Sequence, residues 1–135
     1  MASPGCVLRI SGLNFRPDDF LRRFDVPVVA AWNKGDTGIF NRVHANSGCN
    51  LIISEREPLD DQIEDAIGFV NAHRAALRFA CDSASIDDLR LDFGIALRDS
   101  VVQSNTFPSA LVRLAAEFNI ALELSQYPLN DGPAL

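Results

Sequence analysis

The sequence predicts an α+β domain: an antiparallel sheet with helices packed on one face, ferredoxin-like or a duplicated variant of that arrangement. Three observations carry this. Leu89, Leu91, Phe93, Ile95 and Leu97 alternate with Arg90, Asp92, Gly94, Ala96 and Arg98, the period of a half-buried strand. Behind Pro108, Leu111, Leu114, Ala115 and Phe118 fall at helical spacing. Short helices of this kind are interspersed among alternating strands, which favours a sheet covered on one face over a doubly wound parallel sheet.

Element by element, Cys6 to Ser11 is apolar and β-branched and reads as a first strand, ended by Gly12. Arg16 to Phe24 reads as a short helix. Pro17 suits its first turn, Asp18 and Asp19 complement the positive N-terminal end, and Arg22 and Arg23 suit the C-terminal end. Pro27 introduces a second strand, Val28 to Trp32. Asn33 to Gly38 is a turn, a polar loop runs on to Gly48, and Asn50 to Ser54 is a third strand. Pro58 opens the longest helix, acidic at its start (Asp60, Asp61, Glu64, Asp65) and basic near its end (Arg74, Arg78). Its apolar stripe is Leu59, Ile63, Ala66, Ile67, Val70 and Leu77.

After the alternating strand, a turn at Arg98-Asp99-Ser100 would lead into a hairpin partner, Val101 to Phe107. The Pro108 helix follows, then a last strand from Ile120 to Ser125. The unit Pro, short helix ending in Phe, apolar strand occurs at Pro17–Trp32 and again at Pro108–Ser125, which prompts the duplicated reading. One domain spans the chain, with its core over 6–128 and a flexible tail over 129–135.

Composition limits the function. Of 135 residues, 47% are apolar and 22% charged, the balance of a globular chain. Eighteen acidic against 12 basic residues give a net charge of -6, and Lys34 is the only lysine. Nucleic acid and anionic membranes both need clustered cations, so neither is expected as a partner. No apolar run approaches the ~18 residues that span a bilayer. There is no signal-peptide pattern, and Cys6, Cys49 and Cys81 are odd in number, widely spaced and set among apolar neighbours, with no CxxC. A cytoplasmic protein with reduced thiols is expected.

No catalytic constellation is present. His44 and His73 are not at metal-ligand spacing from one another or from a cysteine, and HExxH is absent. His73 lies i+4 from Phe69, the position of a packing histidine. Asp18-Asp19 and Asp60-Asp61 sit where helix N-termini favour negative charge, and Asp87-Asp88 reads as a turn. No GxSxG, GxxxxGK[ST] or GxGxxG occurs, so neither a nucleophile elbow nor a phosphate cradle is expected, and no cofactor or metal. The Gly-rich loop offers mixed polar contacts beside an aromatic: Trp32, Lys34, Asp36, Thr37, Arg42, His44 and Asn46.

Lys34-Gly35-Asp36, the order of elements around it, Phe107-Pro108 opening a helix, and a final strand running into Tyr127-Pro128 resemble the bacterial family called domain of unknown function 4279. The likeness covers most of residues 6 to 128. It departs at Cys49, where such proteins often carry Trp. The resemblance implies no activity, cofactor or catalytic residue.

The expectation is therefore a non-catalytic protein-binding domain, an immunity-type inhibitor that occludes a basic, toxin-like partner. Its binding surface is expected at Trp32 to Asn46 and at Asp60, Asp61, Glu64 and Asp65. The immunity role is analogy with other small acidic bacterial proteins. A small-ligand-binding regulatory domain with a pocket between sheet and helices is the alternative, and a homo-oligomer is compatible with it. A hydrolase using the acidic pairs and His44 ranks third.

Overall fold

A computed structural model of the protein describes residues 5–98 and 101–128. The order of elements is β1 (Gly5–Gly12), α1 (Pro17–Leu21), β2 (Val28–Trp32), a 3-10 turn (Ile39–Asn41), β3 (Ser47–Ser54), α2 (Leu59–Ala72), α3 (Arg74–Asp82), β4 (Asp88–Leu97), α4 (Ser109–Glu117) and β5 (Ala121–Pro128). The five strands form one sheet in the order β2-β3-β1-β4-β5. The fold is α+β, as the alternating strands predict.

The first four strands pair antiparallel throughout, β2 with β3, β3 with β1, and β1 with β4. Two split β-α-β units interleaved in this way are the ferredoxin-like arrangement. To that core the chain adds one further unit. β5 lies outside β4 and pairs with it parallel, from Arg90 opposite Ala121 to Leu97 opposite Pro128. A parallel neighbour needs a crossover, which α4 supplies. The sheet is thus mixed, and the likeness between the Pro17 and Pro108 segments does not make a duplicated fold. In the first, β3 lies between β1 and β2, whereas in the second β4 and β5 are neighbours.

This arrangement displaces the expected hairpin strand at 101–107. The outer edge of β4 is occupied by β5, so Val101 to Phe107 does not take the expected place beside β4. Instead, Gln103 bridges back to the end of β4: its Oε1 accepts from Arg98 N at 2.7 Å and its Nε2 donates to Ala96 O at 3.2 Å. Phe107 packs against Phe93. Asp99 and Ser100 of the expected turn, and the expected tail 129–135, lie outside the described residues.

The long helix expected from Pro58 is in fact two. The backbone leaves the helical region at His73 (φ -120°, ψ 33°). The His73 ring packs against both Phe24 and Phe69, and its Nδ1 lies 2.9 Å from Phe69 O. His73 is a packing residue, as the i+4 spacing predicts, and its packing accompanies the bend. α4 ends in the left-handed region at Asn119 (φ 55°).

The core lies between the helices and one face of the sheet. Cys6, Leu8 and Ile10 of β1, Cys49 and Leu51 of β3, and Leu89, Leu91 and Phe93 of β4 meet Phe20, Ile63, Phe69, Val70, Leu77, Leu111 and Phe118. The alternate residues, among them Val7, Arg9, Asn50, Ile52, Arg90 and Asp92, face away from the helices on an uncovered side. β2 projects beyond this shelter, and Val28 to Ala31 are exposed. Among the described residues, no helix is long and apolar enough to cross a membrane.

Candidate functional site

The β2–β3 connection, expected as a polar loop, is an ordered arm with its own hydrogen bonds. Asp36 Oδ2 accepts from Asn33 N at 2.8 Å, and Lys34 N donates to Ser47 Oγ at 2.8 Å. Further out, Gly35 N donates to His44 O and His44 N to Asp36 O, both at 2.9 Å, and Gly38 N donates to Arg42 O at 2.7 Å. Thr37 and Val43 form a bridge between these bonds. The arm is therefore a short, irregular hairpin extension.

The glycines have steric roles here. His44 stacks on Trp32, with ring centroids 5.1 Å apart and planes at 22°. A Cβ on Gly38 would lie 2.7 Å from His44 Nε2, and one on Gly48 would lie 2.4 Å from Trp32 Cζ2. Gly35 supplies a positive φ of 95° at the turn. The Lys34-Gly35-Asp36-Thr37-Gly38 stretch thus seats an aromatic pair at the root of the arm. A cleft of about 630 Å³ opens beside it, lined by Trp32, Asp36, Thr37, Ile39, Arg42 and His44 among others.

At its tip the arm is apolar, which the sequence reading missed. Phe40 is 89% exposed, Ile39 77% and Val43 64%. Phe40 also adopts the left-handed conformation (φ 59°, ψ 31°), which is unfavourable for a bulky residue. The Asn33-Lys34-Gly35 turn and the polar residues around it masked this apolar trio.

Of the expected contact residues, Trp32, Asp36, Thr37, Arg42 and His44 line the cleft, while Lys34 is exposed in the turn and Asn46 is half-buried beside Ser47. Asp60, Asp61, Glu64 and Asp65 are elsewhere. The arm leads into Ser47 and the acidic helix start follows Ser54, the two ends of the eight-residue β3, about 23 Å apart along the strand. The expected surface is thus two separate regions.

The acidic region is tied together from within by a single arginine, Arg56, a role that the sequence reading missed. Its guanidinium reaches Glu64 at 2.8 Å, Asp65 at 2.9 Å and Asp61 at 3.9 Å. Ser54 Oγ donates to Asp65 at 2.6 Å. The Arg56 bond, then the Ser54 bond, hold the Asp65 carboxyl below its ordinary range. Asp60 alone of the four has no ion-pair partner among the described residues.

The remaining acidic pairs have local roles. Asp19 is bound to Arg22 at 2.6 Å, and Asp87 Oδ2 accepts from Leu13 N at 2.9 Å. Asp88 pairs with Arg90 at 2.6 Å. Among the described residues, no group of three or more His, Cys, Asp or Glu is placed to hold a metal ion. Protein-family models, curated proteins and solved structures give no match to this chain.

Proposed function

We propose that this chain is a non-catalytic protein-binding domain that docks its partner through the β2–β3 arm. One observation carries the reading. Phe40 is exposed to 89% in a backbone conformation that costs a bulky side chain energy, and it contributes nothing to the core. Strain of that kind persists where the surrounding structure enforces it, and it concentrates at functional sites. Ile39 and Val43 beside it complete an exposed apolar tip around Phe40, an aromatic of the kind enriched at protein interfaces.

The partner in this reading is basic and toxin-like, and the domain acts as an immunity-type inhibitor by steric occlusion. Its basic character rests on the chain's net charge of -6, which steers a cation over a distance. The arm itself carries Lys34, Asp36 and Arg42, and three of the four acids of α2 are engaged by Arg56. Docking energy in this reading is therefore apolar and charge acts on the approach. The resemblance to domain of unknown function 4279 adds no activity to it. His73 is accounted for by packing, its ring against Phe24 and Phe69 and its Nδ1 beside Phe69 O.

Affinity purification from the native host with the tagged protein tests this. The wild type is expected to retain a stoichiometric partner that the Ile39→Ser/Phe40→Ser variant loses. A partner held equally by both would refute docking through the arm.

A further inference from the structure

On the uncovered face of the sheet, away from the arm tip and the helices, lies a depression of about 280 Å³. Gly5 and Gly94 are directly paired across β1 and β4, which removes two side chains from its middle. Val7, Ile52 and Val29 form an aliphatic floor, and Tyr127 of β5 forms a wall. A Cβ on Gly94 would lie 3.1 Å from Tyr127 Cε2, so the ring lies close against the bare glycine. The Tyr127 hydroxyl has no hydrogen-bond partner among the described residues.

At one end stands Arg9, held on two sides. Its Nε donates to Asp92 Oδ2 at 3.0 Å, and Asp92 Oδ1 accepts from Ser125 Oγ at 2.6 Å. Asp92 is only 6% exposed, although it is ionisable and lies on the uncovered face. With its side-chain amide turned to suit its neighbours, Asn50 accepts from Arg9 Nη1 at 3.1 Å. The guanidinium is thereby fixed in orientation, and its Nη2 has no partner among the described residues. A pre-oriented planar donor edge beside an apolar hollow is the combination that selects one anionic group on an apolar body. Glu55, just past the end of β3 and beside Gly5 at the far rim, is the wrong charge for an anion, so the anionic end belongs at Arg9.

We infer that this depression binds a small aryl carboxylate, its carboxylate on the Nη edge of Arg9 and its ring between Tyr127 and the Val7–Ile52–Val29 floor. The volume admits a ligand of about the size of 3-phenylpropanoate, at the small end of ligand pockets. Because Asp92 already offsets the charge of Arg9, affinity comes from the fixed donor edge together with the apolar contact, and a dissociation constant of about a millimolar or below is expected.

The test is a titration of the intact protein with 3-phenylpropanoate, followed by amide and Arg side-chain NMR. The carboxylate is expected to saturate, with shifts concentrated at Gly5, Val7, Arg9 Nε, Gly94 and Tyr127. 3-Phenylpropanol and 3-phenylpropylamine are expected to bind at least about tenfold more weakly, the loss of one charge-assisted contact. Val29→Trp fills the hollow from the exposed edge strand without touching the ion pair and is expected to abolish binding. Arg9→Lys keeps a cation opposite Asp92 but removes the planar edge and is expected to weaken binding by a similar factor. Absence of saturation at about 10 mM, equal or tighter binding of the amine, or unchanged affinity in Val29→Trp would each overturn the assignment.

Discussion

Trp32 and Gly48 are cross-strand neighbours so close that a Cβ on Gly48 would sit 2.4 Å from the indole Cζ2 and 2.7 Å from Ile10 O. No small rotation relieves both contacts, because one of them is backbone. Gly48→Ala is therefore expected to cost about 1–3 kcal/mol, the usual penalty for overpacking. The same change should push Trp32 off His44 and alter the fluorescence of the only tryptophan in the chain. Urea unfolding measures the first effect and emission the second.

The tip of the arm should behave in the opposite way. Phe40→Asn places a residue that tolerates the left-handed region where φ is 59° and removes an exposed ring. Stability should stay within about 0.5 kcal/mol of wild type or rise. Partner capture should fall sharply. An unfolding midpoint equivalent to a loss of more than about 1 kcal/mol would show that the ring is packed after all.

Asp65 couples stability to acid. Its carboxyl is held below the ordinary value of 3.8, chiefly by Arg56 and then by Ser54. A depressed native value means a contribution fully present above the ordinary range and lost as pH falls through the lower native one. Urea midpoints at pH 7 and pH 3 should therefore differ less for Asp65→Asn than for wild type. Equal slopes would remove Asp65 from the acid response.

The cysteines give an alkaline counterpart. Burial pushes the Cys49 thiol up to about 12 and raises Cys6 as well, where Asp92 and Asp65 add to the effect. A raised native value stabilises the fold below the ordinary value near 9, and that contribution is lost as pH rises toward 12. At pH 8, iodoacetamide should modify only the half-buried Cys81 in the native protein and all three cysteines after unfolding. Native labelling of Cys49, read by mass spectrometry, would contradict its burial.

Much of the fold was legible because short-range periodicity decided it. Leu89 to Leu97 alternates because β4 has one helix-covered face, and Pro17 and Pro108 stand at the starts of α1 and α4. What escaped reading depends on which distant strand is adjacent. Val101 to Phe107 has strand-like residues, yet the position they would occupy belongs to β5. Arg9 and Asp92 were each visible as polar positions, but their pairing requires β1 beside β4. Arg56 escaped for a different reason. It precedes the helix by only a few residues, and only the path of the chain around Pro58 aims it at Glu64 and Asp65. In the arm, the polar turn residues concealed that Ile39, Phe40 and Val43 find nothing to cover them.

The parallel placement of β5 also has a consequence for the order in which the chain is made. By Leu97, all four strands of the ferredoxin-like core have been synthesised, and domains tend to fold from the N-terminus as the chain emerges. At that moment the outer side of β4 presents unpaired amides and carbonyls beside Phe93 and Ile95, a template for pairing with another nascent chain. Only when β5 has emerged, through Pro128, is that margin closed. The crossover through α4 thus sets a waiting interval during synthesis in which the growing chain is most open to mispairing.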